Sequence, residues 1–162
     1  MRIKYIIPSP HADNQAVRTA QVPSEILGPD TLVECIPVRN SATVVDCYYE
    51  DLIFEMYIVQ AGLRAADEGF DAVVMDTVSD SGLYPLRSRL EIPVLGPGIV
   101  SYVVAILLGK RFSIITMWGQ WRHLYEKNLA TYGLGSHCAS IRSAGLTPDL
   151  TNLFSGKEGD VF

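Results

Sequence analysis

The sequence lacks the features that mark several specialised classes of protein. It has only three cysteines in 162 residues, Cys35, Cys47 and Cys138, and neither a CxxC pair nor a histidine cluster accompanies them. A disulfide framework and a zinc site are therefore not indicated, and we predict no metal. No run of lysine or arginine occurs, and the formal net charge is -5. This charge argues against nucleic acid as a partner.

Long hydrophobic runs are also missing. The longest apolar run, residues 99–108, has about half the length that a bilayer span needs, so it indicates a buried helix. The opening stretch, MRIKYIIPSP, contains an apolar run too short for a secretory signal. We therefore predict no membrane partner and a soluble, cytoplasmic protein.

What the chain does contain is short apolar runs separated by helical patterns. Hydrophobic residues make up 48% of the chain, enough for one good core or two small lobes. Runs of Val, Ile and Leu without polar alternation are typical of buried parallel strands. The order β-α-β-α-β-α-β indicates a parallel sheet. The predicted strands are 3–7, 31–38, 72–75 and 92–95, and the predicted helices are 13–27, 83–90 and a long helix between residue 46 and Gly69.

Two further observations define the expected architecture. Leu52, Met56, Val59, Leu63 and Ala66 recur at helical spacing and predict that the long helix is amphipathic. After residue 98 the pattern begins again, with predicted helices 99–108 and 121–132 and strands 112–116 and 137–143. We expect an α/β fold with two Rossmann-like or flavodoxin-like lobes, 1–98 and 99–162, each with a parallel sheet. Two strands make a poor core, so we expect the second lobe to be incomplete and the sequence to lack the end of a longer protein.

The loop after the third predicted strand is the candidate ligand site. Small polar residues fill it from Asp76 to Gly82. Ligands of open α/β sheets bind beyond the carboxyl ends of the strands. The backbone amides from Val78 to Ser81 can also form a concavity that binds anions.

Three stretches give the chain a family resemblance: DAVVMDTVSDSGLYPLRSRLEIPVLGPG at 71–98, RFSIITMWG at 111–119 and YGLGSHCASIRSAGL at 132–146. The first has the order of apolar strand, catalytic position, Asp-x-Gly-Leu, short helix and Pro-Val-x-Gly-Pro-Gly. In this respect the chain resembles the Asp/Glu/hydantoin racemase superfamily. The resemblance covers about the first two thirds of a typical member, and it implies a cofactor-independent enzyme with its active site between two lobes.

The resemblance also assigns candidate site residues, with several departures from the family pattern. Thr77 stands at the family's first catalytic cysteine, and the second cysteine belongs to the final third, which this sequence does not contain. The sequence Ile7-Pro8-Ser9-Pro10 stands where hydantoin-type members have Asn-Pro-Asn-Thr, so two side chains that would contact a polar substrate are replaced. Of a hydroxyl pair after the fifth strand, only the first remains. The substrate-binding positions implied are Pro8, Ser9, Thr43, Val78, Ser79, Asp80, Thr116 and Met117.

The chemistry of the family limits what Thr77 can do. Racemisation next to a carbonyl needs a base on one face, an acid on the other, and donors for the developing enolate. A threonine hydroxyl cannot be tuned toward neutral pH as a thiol can. We therefore expect Thr77 to donate a hydrogen bond to a substrate carboxylate and not to exchange protons with carbon.

Several functions remain open at this point. The resemblance favours a cofactor-independent racemase or isomerase that acts on small amino-acid-like or carboxylic acid substrates by proton transfer at the α-carbon. A lyase with a single cysteine, like arylmalonate decarboxylase, is one alternative, and an inactive module that binds small carboxylates is another. A flavodoxin-like nucleotide binder is disfavoured because no Gly-x-Gly-x-x-Gly or P-loop pattern follows a strand. An incomplete lobe would expose apolar surface, so we expect a homo-oligomer.

Overall fold

The structure is a computed structural model that describes residues 1–42 and 44–147. Within these residues, six strands form two parallel sheets. The strands are β1 (Arg2–Ile7), β2 (Leu32–Pro37), β3 (Ala72–Met75), β4 (Val94–Leu95), β5 (Phe112–Thr116) and β6 (Cys138–Ser143). The helices are α1 (Ala12–Gln21), α2 (Ser24–Leu27), α3 (Tyr48–Gly62), α4 (Leu83–Arg87), α5 (Pro97–Leu108) and α6 (Arg122–Tyr132).

The first sheet has the strand order β2-β1-β3-β4, with every neighbouring pair parallel. Ile6, Val73 and Met75 from its strands are fully buried, and Ile58 and Leu86 pack on them from α3 and α4. The second sheet pairs β5 with β6 in parallel. These sheets confirm the predicted α/β class. The division of the chain into lobes at residue 98 stays a prediction.

The predicted helix over residues 13–27 is two helices in the structure. Helix α1 ends at Gln21, and α2 begins after Pro23. Proline has no backbone N–H to continue a helix and clashes with the preceding turn. The interruption therefore lies where the sequence has its proline, and Gly28 closes the second helix with a positive φ of 77°.

Of the apolar stripe predicted on the long helix, Val59 packs against the core, but the other members are exposed. Leu52, Met56 and Leu63 are 66%, 45% and 40% exposed, whereas Asp51 and Gly62 are buried. Gly62 allows close packing, because a Cβ built there would lie 2.8 Å from a methyl carbon of Leu86. The amphipathic interpretation was wrong about the inner face, since an ion pair with the partly exposed Lys127 allows Asp51 to lie there.

Helix α5 was predicted to be buried, and the structure corrects this as well. It buries Gly98 and Tyr102, and Tyr102 stacks on Phe112 of β5 with ring centroids 5.2 Å apart. Leu107 and Leu108 at its end are exposed. Its apolar outer side is not covered by any described residue of the chain. None of the described helices has the length and apolar character needed to cross a membrane.

Candidate active site

A cavity of about 430 Å³ lies where β1, β3 and β5 end. The loop before α3 and the start of α6 close its other sides. Its lining contains hydroxyl groups, the ion pair of Arg18 with Asp76, and a broad apolar wall. The residues are Tyr5, Ile7, Pro8, Ser9, Asn14, Arg18, Ala42, Val44, Val45, Phe54, Asp76, Thr77, Val78, Ser79, Pro97, Met117, Trp121, Leu124 and Tyr125. A site of this size suits a small organic molecule.

The structure brings most of the predicted site residues to this one cavity. Those in its wall are Pro8, Ser9, Thr77, Val78, Ser79 and Met117. Asp80 and Thr116 are buried but do not line it. The hydroxyl of Thr116 donates to the carbonyl of Trp118 at 3.2 Å. Thr43 lies outside the described residues.

Ser9 is presented to the cavity by the proline-rich turn after β1. Its hydroxyl oxygen accepts a hydrogen bond from the side-chain amide of Asn14 on α1, at 2.8 Å. Both side chains are buried and both line the cavity. A buried polar pair of this kind fixes the orientation of each partner.

A chain of side-chain hydrogen bonds leads from the cavity into the protein. The hydroxyl oxygens of Thr77 and Ser79 are 2.6 Å apart, and those of Ser79 and Ser81 are 2.8 Å apart. Ser81 then donates to Oδ1 of Asp51 at 3.3 Å. Lys127 on α6 donates to Oδ2 of the same carboxylate at 2.5 Å. The polar loop after β3 is thereby joined to α3 and α6.

Asp80 holds the start of α5 and does not reach the cavity. Its two carboxylate oxygens each accept a backbone N–H at 2.7 Å, one from Gly98 and one from Ile99. Tyr132 of α6 donates its hydroxyl to Oδ2 at 2.6 Å. The first amides of a helix lack partners within the helix and favour a carboxylate. The oxygens of Asp80 are therefore used in capping α5, and its predicted contact with substrate stays a prediction.

The close approach of Asp80 explains the Gly-Pro-Gly sequence at the start of α5. A Cβ added at Gly98 would lie 2.6 Å from an oxygen of Asp80, and one at Gly96 would lie 2.6 Å from its Cγ. Any larger residue would displace the carboxylate. Asp80 itself has a φ of 53°, a left-handed conformation that aspartate tolerates better than most residues.

Sequence reasoning missed a charged group in the cavity wall. Arg18 on α1 donates to Oδ2 of Asp76 at 2.5 Å, and Tyr5 donates its hydroxyl to Oδ1 at 2.8 Å. Burial, followed by the charge of Asp76, raises the pKa of Tyr5 above its ordinary value. Asp76 directly follows Met75, the last residue of β3, and so lies at the strand end beside the cavity. The sequence signal that could have located this part of the wall lies in β1, where Tyr5 and Ile7 share one face of the strand.

The apolar wall is held in place by the loop before α3. The carboxylate of Glu50 accepts the backbone N–H groups of Val44 and Val45 at 3.0 and 2.6 Å. Trp121 donates its indole N–H to the carbonyl of Val44 at 3.2 Å. Val45 is kept at a φ of 57°, which is costly for a β-branched residue. These hydrogen bonds therefore fix Val44 and Val45 against the cavity.

With this geometry in view, comparison with known proteins identifies the family. A family model described as Asp/Glu/hydantoin racemase matches residues 17–160. The chain belongs to this family. A hydantoin racemase from Pseudomonas sp. (strain NS671) is 24% identical over 152 residues, which is 88% of this chain and 57% of that protein. The chain thus spans little more than half the length of this hydantoin racemase.

Solved structures show the same fold. An allantoin racemase from Klebsiella pneumoniae superposes with a TM-score of 0.83 at 21% identity, over 99% of this chain and 65% of that one. A Gly74Cys mutant of arylmalonate decarboxylase superposes with a TM-score of 0.56 at 18% identity, over 91% of this chain and 64% of that one. The chain therefore spans less than two thirds of the length of these racemase-fold proteins.

The cysteines of this racemase-family chain lie away from the cavity. Cys35 is buried in β2, and burial raises the pKa of its thiol. Cys47 is exposed at the start of α3, and Cys138 is partly buried at the start of β6. Among the described lining residues there is no thiol. In the described part of the chain, no group of His, Cys, Asp and Glu side chains is arranged to hold a metal ion.

Proposed function

We propose that the protein binds a small amino-acid-like or carboxylic acid substrate in this cavity and moves a proton at its α-carbon without a cofactor. The observation that carries the proposal is the gathering of Ser9, Thr77 and Ser79 around one cavity at the strand ends of a racemase-family fold. Relatives named hydantoin racemase and allantoin racemase support a substrate with acidic hydrogen next to a carbonyl.

The cavity wall supports this choice of substrate. Arg18 brings a positive charge for a carboxylate or a carbonyl oxygen, whereas the backbone N–H groups of Ser79 and Asp80 donate to Thr77 within the loop after β3. Phe54, Trp121 and Leu124 offer an apolar surface for a substituent. Polar groups on one side and apolar groups on the other orient a small acid.

Thr77 is not assigned the proton transfer. Both of its side-chain hydrogen bonds are to Ser79, and a hydroxyl is a far weaker acid than a thiol. In this proposal Thr77 binds and orients the substrate. We assign the proton transfer to none of the three hydroxyl residues Ser9, Thr77 and Ser79.

Hydrogen exchange at the α-carbon tests the proposed function. The protein is incubated in D2O with 5-substituted hydantoins, allantoin and free amino acids, and deuterium uptake is followed by NMR against a blank without protein. Uptake above the blank for at least one compound is expected. The matched control is Ser88→Ala, which removes an exposed hydroxyl on the far side of α4 and should exchange at the wild-type rate. Uptake at the blank rate for every compound would overturn the proposal.

Two other functions have an observation in their favour. The absence of a thiol from the described lining favours a module that binds small carboxylates without turnover. The shared fold with arylmalonate decarboxylase favours a lyase, which would release CO2 from disubstituted malonates. Binding without exchange supports the first, and CO2 release supports the second. A homo-oligomer and a cytoplasmic location are further parts of our proposal.

A further inference from the structure

The hydrogen-bond chain behind the cavity has a fixed direction. A carboxylate only accepts hydrogen bonds, so Ser81 must give its single hydroxyl hydrogen to Asp51. Ser81 then has none left for Ser79, and Ser79 must donate to Ser81. By the same count, Thr77 must donate to Ser79. Each hydroxyl hydrogen of the chain thus points away from the cavity.

Two features keep this direction from reversing. Lys127 pairs with the second oxygen of Asp51, and an ammonium group cannot accept a hydrogen bond. Asp51, Ser79 and Ser81 are 4%, 5% and 1% exposed, so bulk water does not compete for their hydrogen bonds. In such an environment a lost hydrogen bond is costly.

Because each hydroxyl hydrogen of the chain is used, Thr77 can only accept a hydrogen bond from a ligand in the cavity. Its hydroxyl hydrogen is used, and one lone pair faces the backbone N–H of Ser79 at 3.3 Å. The second lone pair is the part of the hydroxyl that remains for a ligand. We infer that Asp51 is a positioning residue that makes Thr77 a hydrogen-bond acceptor, so the ligand group placed against Thr77 carries an N–H or O–H. The inference rests on the proposed function in one respect, since it takes this cavity as the ligand site.

This result reverses the expectation from the sequence that Thr77 donates to a carboxylate. A carboxylate against Thr77 would set two acceptors face to face. The carboxylate end of an acidic ligand is therefore directed elsewhere in the cavity. An amide, ureido or ammonium nitrogen takes the position next to Thr77.

Paired probes with and without N–H groups test the inference. Hydantoin and 1,3-dimethylhydantoin are titrated into the protein and their dissociation constants are measured by calorimetry. Wild-type protein is expected to bind hydantoin about tenfold more tightly, since one unsatisfied buried acceptor costs on the order of 1.4 kcal/mol. Ser81→Ala cuts the chain but leaves the Asp51–Lys127 pair intact. In that variant we expect the ratio of the two constants to fall below about threefold.

The ratio of the two dissociation constants distinguishes a positioning role of Asp51 from a general structural effect of the substitution. Added methyl groups have the same steric cost in wild type and in Ser81→Ala, so a change in ratio reports the hydrogen bond. Ser88→Ala should keep the wild-type ratio. Asp51→Asn is a second variant. An amide can present either a donor or an acceptor to Ser81, so this variant should also lower the ratio of the two dissociation constants. Circular dichroism checks that the variant folds.

Equal binding of the two probes by wild type, binding of neither, or an unchanged ratio in both variants would overturn the inference. Its failure is distinguishable from that of the proposed function. A wild-type preference that Ser81→Ala abolishes, with no deuterium uptake, would support the positioning role and refute the catalytic one. Deuterium uptake without a preference for hydantoin would support the catalytic role and refute the positioning role.

Discussion

Arg18 and Asp76 form a charge pair in the cavity wall, and each is also held by the secondary structure around it. Arg18 belongs to α1, and its Nη1 donates to Gln21 at 2.7 Å, whereas Asp76 directly follows β3. The side chains are 34% and 17% exposed, so the pair is partly shielded from water. A ligand carboxylate near Arg18 would share the positive charge with Asp76.

The charge of Arg18 yields a prediction for ligand choice. Arg18→Met should weaken the binding of N-acetylalanine about three- to tenfold, the usual effect of one partly exposed charge contact. The binding of the neutral N-acetylalanine amide should change less than about twofold. Calorimetric titration of both compounds measures this difference. Arg18→Lys keeps the charge and serves as the control, and equal weakening of both compounds by Arg18→Met would contradict the prediction.

Tyr5 and Tyr132 give a prediction for stability at alkaline pH. Burial and a neighbouring carboxylate raise the pKa of each above its ordinary value of 10.0. The folded state therefore holds these protons where the unfolded state begins to lose them, and stability falls as the pH rises above about 10. Urea unfolding at several pH values between 8 and 11 should show this decline. The slope should be smaller in Tyr5→Phe, and an equal slope would show that Tyr5 is not responsible.

At the scale of elements, much of the fold could be predicted from the sequence. Each strand was predicted within about two residues, because a buried strand is a local run of apolar residues. The position of the cavity followed from the rule for strand ends. The inner face of α3 did not, since the ion pair that allows Asp51 inside joins residues 76 positions apart. Hydrophobic periodicity contains no information about such a partner.

The same reason explains the errors in the site. Asp76 meets Arg18 across 58 positions, and Asp80 meets Tyr132 across 52. The sequence alone did not show that Asp76 pairs with Arg18 in the cavity wall or that the helix capped by Asp80 is α5. It did place Thr77 and Ser79 correctly beside one cavity, because both lie on one short loop after a recognisable strand.

The cap on α5 yields a prediction for stability. Asp80→Ala removes the partner of two helix amides and leaves the Tyr132 hydroxyl unpaired, so it should lower the free energy of unfolding by about 2–4 kcal/mol. Denaturant titration with fluorescence detection measures the loss. Asp67→Ala replaces an exposed aspartate in the turns after α3 and should cost less than about 0.5 kcal/mol. Similar losses in the two variants would contradict the assigned role of Asp80.

At the scale of the whole molecule, two apolar surfaces remain uncovered by the described residues. One is the outer face of α3, with Tyr48, Tyr49, Leu52 and Met56. The other comprises the outer side of α5 and Ile115 of β5. Contiguous apolar surface of this kind usually marks a contact with another protein surface. These surfaces support the proposed self-association.

Self-association through α3 can be tested directly. Wild-type protein should elute as a dimer or larger species in size-exclusion chromatography with light scattering. The double variant Leu52→Glu, Met56→Glu should shift toward monomer, because burying two carboxylates without partners is unfavourable. Gln60→Glu adds a charge at another exposed position of the same helix and should not shift the mass. A monomeric wild type would refute the proposal.

The hydrogen bonds of Asp80 also affect how the cavity and the second sheet respond to each other. One side chain joins the loop that carries Thr77 to the first amides of α5 and to the phenol of α6. We therefore expect a ligand that shifts this loop to move the start of α5 and Tyr132 of α6 as well. On this expectation, a molecule bound in the cavity also affects how α5 and α6 pack against the sheet of β5 and β6.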